Sequence, residues 1–302
     1  MVATTQEAFD QFVKTITPSL VQYTKIENRR STTHNYLVKS FGPESDMPLL
    51  RTVLIGSAAK GTINAPLSDI DVMAVFSNTK KAYESFKNAQ DMLYKIRNAL
   101  KGYRIETIGS RGQAVRLFYT DKLHVDIAPV FMRKDGGYLL PGGDGRWITT
   151  DPDIQISWFK TRNTALGGNL EVFVMLLKKW NDAHGKQFSS FYLETKAAYL
   201  FATMNSDYAD ALNIFFKLAR NDLKVQDPAG HSGELTSDFT YDQWLSAYRR
   251  FDSAIEHSEK AMVAHARGDH KESIEQWQVI FGDSFPSYEP ATLSPLMSLW
   301  SQ

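Results

Sequence analysis

Leu54-Ile55-Gly56-Ser57 and, after eleven intervening residues, Asp69-Ile70-Asp71-Val72 decide how the rest of this 302-residue chain is read. Side chains alternate between the two faces of a strand, so Asp69 and Asp71 share one face while Ile70 and Val72 point into a core. Neighbouring carboxylates on one face repel, and a protein keeps them together where a cation sits between them. A third carboxylate, Asp126 in His124-Val125-Asp126-Ile127-Ala128, lies on another apolar stretch. The three together predict an all-oxygen site suited to Mg²⁺. Gly56-Ser57 is by itself an ordinary turn. At the end of a strand it also lets backbone amides and a hydroxyl approach phosphate. Upstream of the acidic pair, that turn points to metal-assisted nucleotidyl transfer.

Composition narrows the setting. Hydrophobic residues make up 43% of the chain, enough for a substantial core, and the length allows two domains or one large one. Lys+Arg and Asp+Glu are both 34, so the formal net charge is zero. That balance gives no electrostatic footprint for long nucleic acids. With no cysteine, disulfides, thiol catalysis and cysteine zinc sites are excluded. Residues 1–10 do not read as a signal peptide, and no apolar run approaches the roughly 20 residues that cross a bilayer. The expectation is a cytoplasmic protein with no membrane partner.

Periodicity predicts helix over 7–41 with an interruption at Pro18, strands at 52–55 and 70–76, and an amphipathic helix over 81–100. Three more strands are expected at 104–108, 114–119 and 123–130, the last two forming a hairpin about Thr120-Asp121-Lys122. Residues 135–153, rich in Gly, Asp and Pro, read as loop. Strand signals then stop, and helices follow at 169–183, 193–204, 208–219, 242–267 and 271–281. The expected class is α+β: a mixed sheet with flanking helices over 1–160, including the N-terminal helix, then a helical lobe over 161–302. The ligand cleft is expected between them.

Other residues could serve such a site. Lys178 or Lys179, on an otherwise apolar helix, could bring a point charge to phosphates or could face solvent. Ser189-Ser190 precedes a helix, where a serine is normally a cap but can also hold phosphate. Phe191 could stack on a base or belong to the core. His124 shares a face with Asp126 and reads as a packed, hydrogen-bonded partner. Asn163 and Asn169 could read a base edge. No Walker loop, Gly-x-Ser-x-Gly or dinucleotide Gly-x-Gly-x-x-Gly is present.

The Gly56-Ser57 and Asp69-Ile70-Asp71 spacing resembles the polymerase-β-like nucleotidyltransferase signature. Over roughly residues 9–286 the chain further resembles the bacterial CD-NTases, relatives of cyclic GMP-AMP synthase and oligoadenylate synthase. Gly56 to Thr62, Pro66 to Asp71, Val125-Asp126-Ile127-Ala128-Pro129, Trp147 to Pro152, Leu177-Lys178-Lys179-Trp180-Asn181, Phe188 to Glu194 and Trp277 to Gly282 carry that resemblance. It implies a polymerase-β-like core plus a helical lobe, two Mg²⁺ ions (Mn²⁺ as substitute) on Asp69, Asp71 and Asp126, and donor phosphate on Gly56 and Ser57. It implies Lys178, with Lys179 its rival, and Ser190 at the triphosphate, and Phe191 under the base. The implied activity makes a cyclic di- or trinucleotide messenger from ATP, GTP or pyrimidine triphosphates, acting on an effector in anti-phage (CBASS) signalling, with room for a regulatory partner. The cysteine-bearing zinc insertion of the animal DNA sensor has no counterpart here, so long-DNA binding is not expected. Linear oligonucleotide synthesis, transfer to a drug, protein or RNA end, and non-catalytic nucleotide or RNA binding are the alternatives.

Overall fold

The computed structural model describes residues 2–290 except 104 and 106. Part of the strand expected at 104–108 and the chain end from 291 therefore lie outside the described residues. Helix α1 (Thr5–Ile16) opens on a reciprocal cap. The Thr4 hydroxyl accepts from the Glu7 amide, and the Glu7 carboxylate accepts from the Thr4 amide. Pro18 ends it, since proline carries no amide proton and keeps the preceding residue out of helical conformation. Helix α2 (Leu20–Ser40) restarts at Ser19 with the same device through Gln22.

The sheet comprises β1 (Leu49–Ile55), β2 (Asp69–Phe76), β3 (Thr107–Arg111), β4 (Ala114–Phe118), β5 (His124–Met132), β6 (Tyr138–Pro141) and β7 (Trp147–Thr150). Its order is β1-β2-β5-β4-β3, with β6 on β5 and β7 on β6, and β2–β5 is the parallel pair. Ile70, Val72, Ala74 and Phe76 of β2 pack under Ile26 and Leu37 of α2 and under Met92, Leu93 and Ile96 of α5 (Gln90–Ala99). The opposite face carries Asp69 and Asp71 at one end and, further along, Met73 and Val75 with Val130, Tyr138 and Leu140.

Two segments differ from the sequence expectation. The helix over 81–100 is two pieces, α4 (Ala82–Ser85) and α5, because Asn88 and Asp91 cap each other: the Asn88 side chain accepts from the Asp91 amide and the Asp91 carboxylate from the Asn88 amide. The stretch 135–153 is not loop throughout. β6 and β7 form a hairpin whose turn uses Asp144, accepting from the Arg146 amide, and Gly145 at φ +85°. The turn residues were legible, while the short strands they join were not.

Helix α3 (Gly56–Lys60) joins β1 to the acidic strand. The helical half contains α6 (Pro152–Ala165), α7 (Leu170–Ala183), α8 (Ser190–Leu200), α9 (Tyr208–Asn221), α10 (Tyr241–Ala266) and α11 (His270–Phe281). α6, which periodicity did not reveal, starts with Pro152 in its first turn and Asp151 as its cap. Trp180 sits at the centre of this half, its ring against those of Phe188, Phe216 and Phe251. Burial of each such ring contributes ~1.5–3 kcal/mol. Helix α1, expected with the sheet, instead sends Phe9 and Phe12 into this helical core, where Phe9 meets Trp277 edge-on at 5.0 Å.

Candidate active site

Strand register builds the acidic face. Ile55 lies opposite Asp71, Asp71 opposite Asp126, and Asp126 opposite Arg116, so one ladder row crosses β1, β2, β5 and β4. Cross-strand partners project from the same face, and the three charged side chains of that row converge. Asp69, two residues before Asp71, joins them in the neighbouring row beside His124. Arg116 was not anticipated. Its Nε donates to Asp126 Oδ1 at 2.6 Å, its Nη2 to Asp126 Oδ2 at 2.5 Å, and Nη2 also reaches Asp69 Oδ2 at 3.2 Å. The Ser68 hydroxyl caps the other Asp69 oxygen.

Gly56 follows β1 directly at φ +59°, and a Cβ there would stand 2.4 Å from an Asp71 carboxylate oxygen. The position needs glycine for its left-handed backbone and for the space that Asp71 takes. Asp71 accepts no hydrogen bond from a cation among the described residues. Burial, then the charges of Asp126 and Asp69, push its pKa up to about 7, against the opposing pull of Lys178 and Arg116.

The facing wall belongs to the helical half. Asp69, Asp71, Gly56 and Ser57 line a cleft of about 460 Å³ with Lys60, Glu194, Ser190 and Phe191, a size typical of small-ligand sites. Ser189 caps α8 by accepting from the Tyr192 amide at 3.1 Å, which leaves the exposed Ser190 hydroxyl at the cleft. The Lys60 ammonium lies 4.8 Å from the centre of the Phe191 ring. Behind this surface Glu194 is 3% exposed and accepts from Lys60 Nζ at 2.8 Å and from the Thr62 hydroxyl at 2.7 Å, with Lys178 Nζ 3.1 Å away. Burial alone would raise the Glu194 pKa. Lys178 and Lys60, with the hydrogen bonds from Lys60 and Thr62, outweigh it and hold the group down at about 2.

Not every expected residue meets this surface. Lys178 does not line the cleft: it is buried and donates to the Thr62 carbonyl and hydroxyl. Lys179 points elsewhere, to the Ala65 carbonyl. Asp126 stands between Asp71 and Arg116 in the row, is bound to Arg116, and is likewise off the lining. Asn163 is bound to Glu171, and Asn169 to the carbonyls of Leu166 and Met204. His124 accepts from the Tyr119 amide at 3.1 Å and packs on Phe118, as a structural histidine does. Among the described residues no three carboxylate or imidazole groups are gathered closely enough, as they stand, to clasp one ion.

A polymerase-β-like sheet with a helical lobe across the cleft defines a nucleotidyltransferase fold. The solved Escherichia coli MS115-1 CdnC with ATP is similar over 93% of this chain and 98% of its own, with a TM-score of 0.76 at 21% identity. The Second Messenger Oligonucleotide or Dinucleotide Synthetase domain (SMODS) matches residues 3–163, more than half of the chain, and the chain belongs to that family. It is a CD-NTase of the bacterial type, and so an enzyme of the nucleotidyltransferase class. A probable cyclic nucleotide synthase (IK1_05630) of Bacillus cereus VD146 is 27% identical over 333 aligned positions, covering 96% of this chain and all of that protein. The cyclic AMP-AMP-AMP synthase of E. coli MS 115-1 is 29% identical over 183 positions, 57% of each chain.

Proposed function

We propose that this enzyme joins nucleoside triphosphates, ATP among them, into a cyclic di- or trinucleotide messenger. The observation that carries the reading is the register pair Asp71–Asp126 with Asp69 beside it, Asp69 and Asp71 sharing the cleft lining with Gly56 and Ser57. Its donor set fits Mg²⁺, or Mn²⁺ in its place: the groups are hard oxygens, and among the described residues no cation hydrogen-bonds the Asp71 carboxyl. Asp69, Asp71 and Asp126 would hold two such ions, which when bound polarise the α-phosphate and lower the pKa of the attacking hydroxyl.

The chain's own residues supply placement. Gly56 and Ser57 receive donor phosphate oxygens with Lys60 of the same helix beside them, while Ser190 faces the triphosphate from the other wall. Lys178 adds its charge from behind, fixed by Glu194 and Thr62. Phe191 offers a ring to the base. The 2′- or 3′-hydroxyl of one nucleotide attacks the α-phosphorus of another, and pyrophosphate leaves. A second such step closes the ring of a dinucleotide and a third that of a trinucleotide, each releasing one pyrophosphate. Because the protein forms no covalent bond, the acceleration comes from positioning and charge neutralisation. The cyclic product would act on a downstream effector in anti-phage defence, in the cytoplasm and under a regulatory partner. The cyclic product rests on membership of the family and on the relatives' names, and the regulatory partner on the solved complex of E. coli MS115-1 CdnC with HORMA-deltaN.

The test is incubation with all four ribonucleoside triphosphates and Mg²⁺, with phosphatase treatment and mass spectrometry. A phosphatase-resistant cyclic product that Asp69→Ala and Asp71→Ala both abolish, in variants melting like the parent, supports the reading. A ladder of linear products points to oligonucleotide synthesis instead. Undiminished product from either variant removes the metal assignment.

A further inference from the structure

The place where the third aspartate would meet a metal ion is already taken by a cation of the protein's own. Arg116 grips both Asp126 oxygens, at 2.6 and 2.5 Å, and leans on Asp69 at 3.2 Å. Its side chain is only 12% exposed, and Asp126 has no other hydrogen-bond donor among the described residues. β-Sheet register enforces this pairing: Arg116 stands directly opposite Asp126, and the flanking Val115 and Leu117 are fully buried on the other face. A bidentate guanidinium–carboxylate pair is among the strong, charge-assisted grips that a side chain gives a carboxylate. Asp71, one strand away in the same row, has no such partner among the described residues.

We infer that Arg116 is a positioning residue that holds Asp126 out of the metal shell until divalent metal displaces it. The inference rests on the metal reading above and adds an order to it. Asp71 is open to a first ion, with Asp69 beside it held by the same guanidinium only at 3.2 Å, whereas Asp126 becomes a ligand only once the guanidinium lets go. A guanidinium and a divalent ion at one carboxylate pair repel each other, so each weakens the other's hold, and the coupling is reciprocal. The device keeps three clustered aspartates compatible with a folded, metal-free enzyme. It also ties completion of the metal set to an event strong enough to move Arg116. The competing arrangement, in which Arg116 orients Asp126 as part of the metal site, predicts the opposite sign.

Mn²⁺ titrated into the full chain without nucleotide, with free Mn²⁺ read by electron paramagnetic resonance, separates the two. Arg116→Met is expected to bind Mn²⁺ about tenfold more tightly than the parent, within the 5–150-fold range usual for coupled sites. Arg116→Lys, which keeps the charge but loses the fork, should fall between them. In thermal melts the metal-free Arg116→Met should unfold below the parent and gain more than the parent when Mn²⁺ is added. Equal or weaker Mn²⁺ binding by Arg116→Met overturns the inference and leaves the metal site standing. If neither parent nor Arg116→Met binds Mn²⁺ better than Asp69→Ala, the metal reading fails and this inference fails with it. Should Arg116→Met not fold, Arg116→Lys carries the same comparison: tighter Mn²⁺ binding than the parent supports the inference, and equal or weaker binding overturns it.

Discussion

Asp71 and Glu194 both border one cleft, and their surroundings drive them in opposite directions. Both are carboxylates removed from much of the solvent. Glu194 stands between two lysines and a threonine hydroxyl, so it stays ionised down to about pH 2. Asp71 stands beside two other carboxylates, with Arg116 committed to Asp126, and its pKa is pushed up to about 7. The difference teaches how to tell structure from readiness. A buried charge whose partners complete it joins pieces of the fold, here α3 and its following loop to α7 and α8. A charge left short of partners beside an open cleft is prepared for something that comes from outside.

The largest effect expected from breaking that contrast is on its uncompensated side. Asp71→Ala should lower product formation by at least ~10³-fold, measured as pyrophosphate release, with little change in melting temperature. On the compensated side, Glu194→Gln strands two lysine ammonium groups and should destabilise the protein by about 3–5 kcal/mol in urea unfolding. If Glu194→Gln cost nothing in stability, the latch would not join the two halves as described. Gly56→Ala comes next. Its left-handed backbone costs ~1–2 kcal/mol with a side chain present, and the new methyl must push Asp71 aside. Turnover should therefore fall as well, by up to about 10²-fold. An active Gly56→Ala enzyme of normal stability would show that the close approach to Asp71 is dispensable.

The subtlest prediction concerns pH. Glu194 has a folded pKa below its unfolded value, so its contribution is complete above about pH 4.5 and is lost as pH falls toward about 2. Asp71 has a folded pKa above its unfolded value. The metal-free protein therefore binds the extra proton between about pH 4 and pH 7 and loses stability as pH rises through that window. Comparing unfolding midpoints of the parent with Asp71→Asn and Glu194→Gln across pH should give difference curves of opposite slope. Parallel curves would mean the two sites are not electrostatically distinct.

Much of the acidic side was legible from sequence, because alternation along β2 alone puts Asp69 and Asp71 on one face. Arg116 is legible from register as well. Folding 114–119 on 123–130 about Thr120-Asp121-Lys122 already sets Arg116 opposite Asp126, a consequence of register that a search for ligand types does not look for. The latch was harder to read. Lys60, Lys178 and Glu194 come from α3, α7 and α8, and only tertiary packing brings them together. Nothing in local periodicity says that Lys178 turns toward Thr62 while Lys60 takes the cleft surface. The β6–β7 hairpin and α6 escaped for a related reason: short strands and a helix with no clear apolar stripe draw their stability from neighbours rather than from pattern.

The central claim is that this acidic row receives metal with a nucleoside triphosphate. The most direct test is anomalous scattering at the manganese edge from crystals grown with Mn²⁺ and a non-hydrolysable ATP analogue. The account predicts manganese about 2.0–2.3 Å from oxygens of Asp69 and Asp71, the triphosphate between Ser57 and Lys60, and Arg116 drawn off Asp126. Manganese bound elsewhere, or a triphosphate seated away from these aspartates, would contradict it.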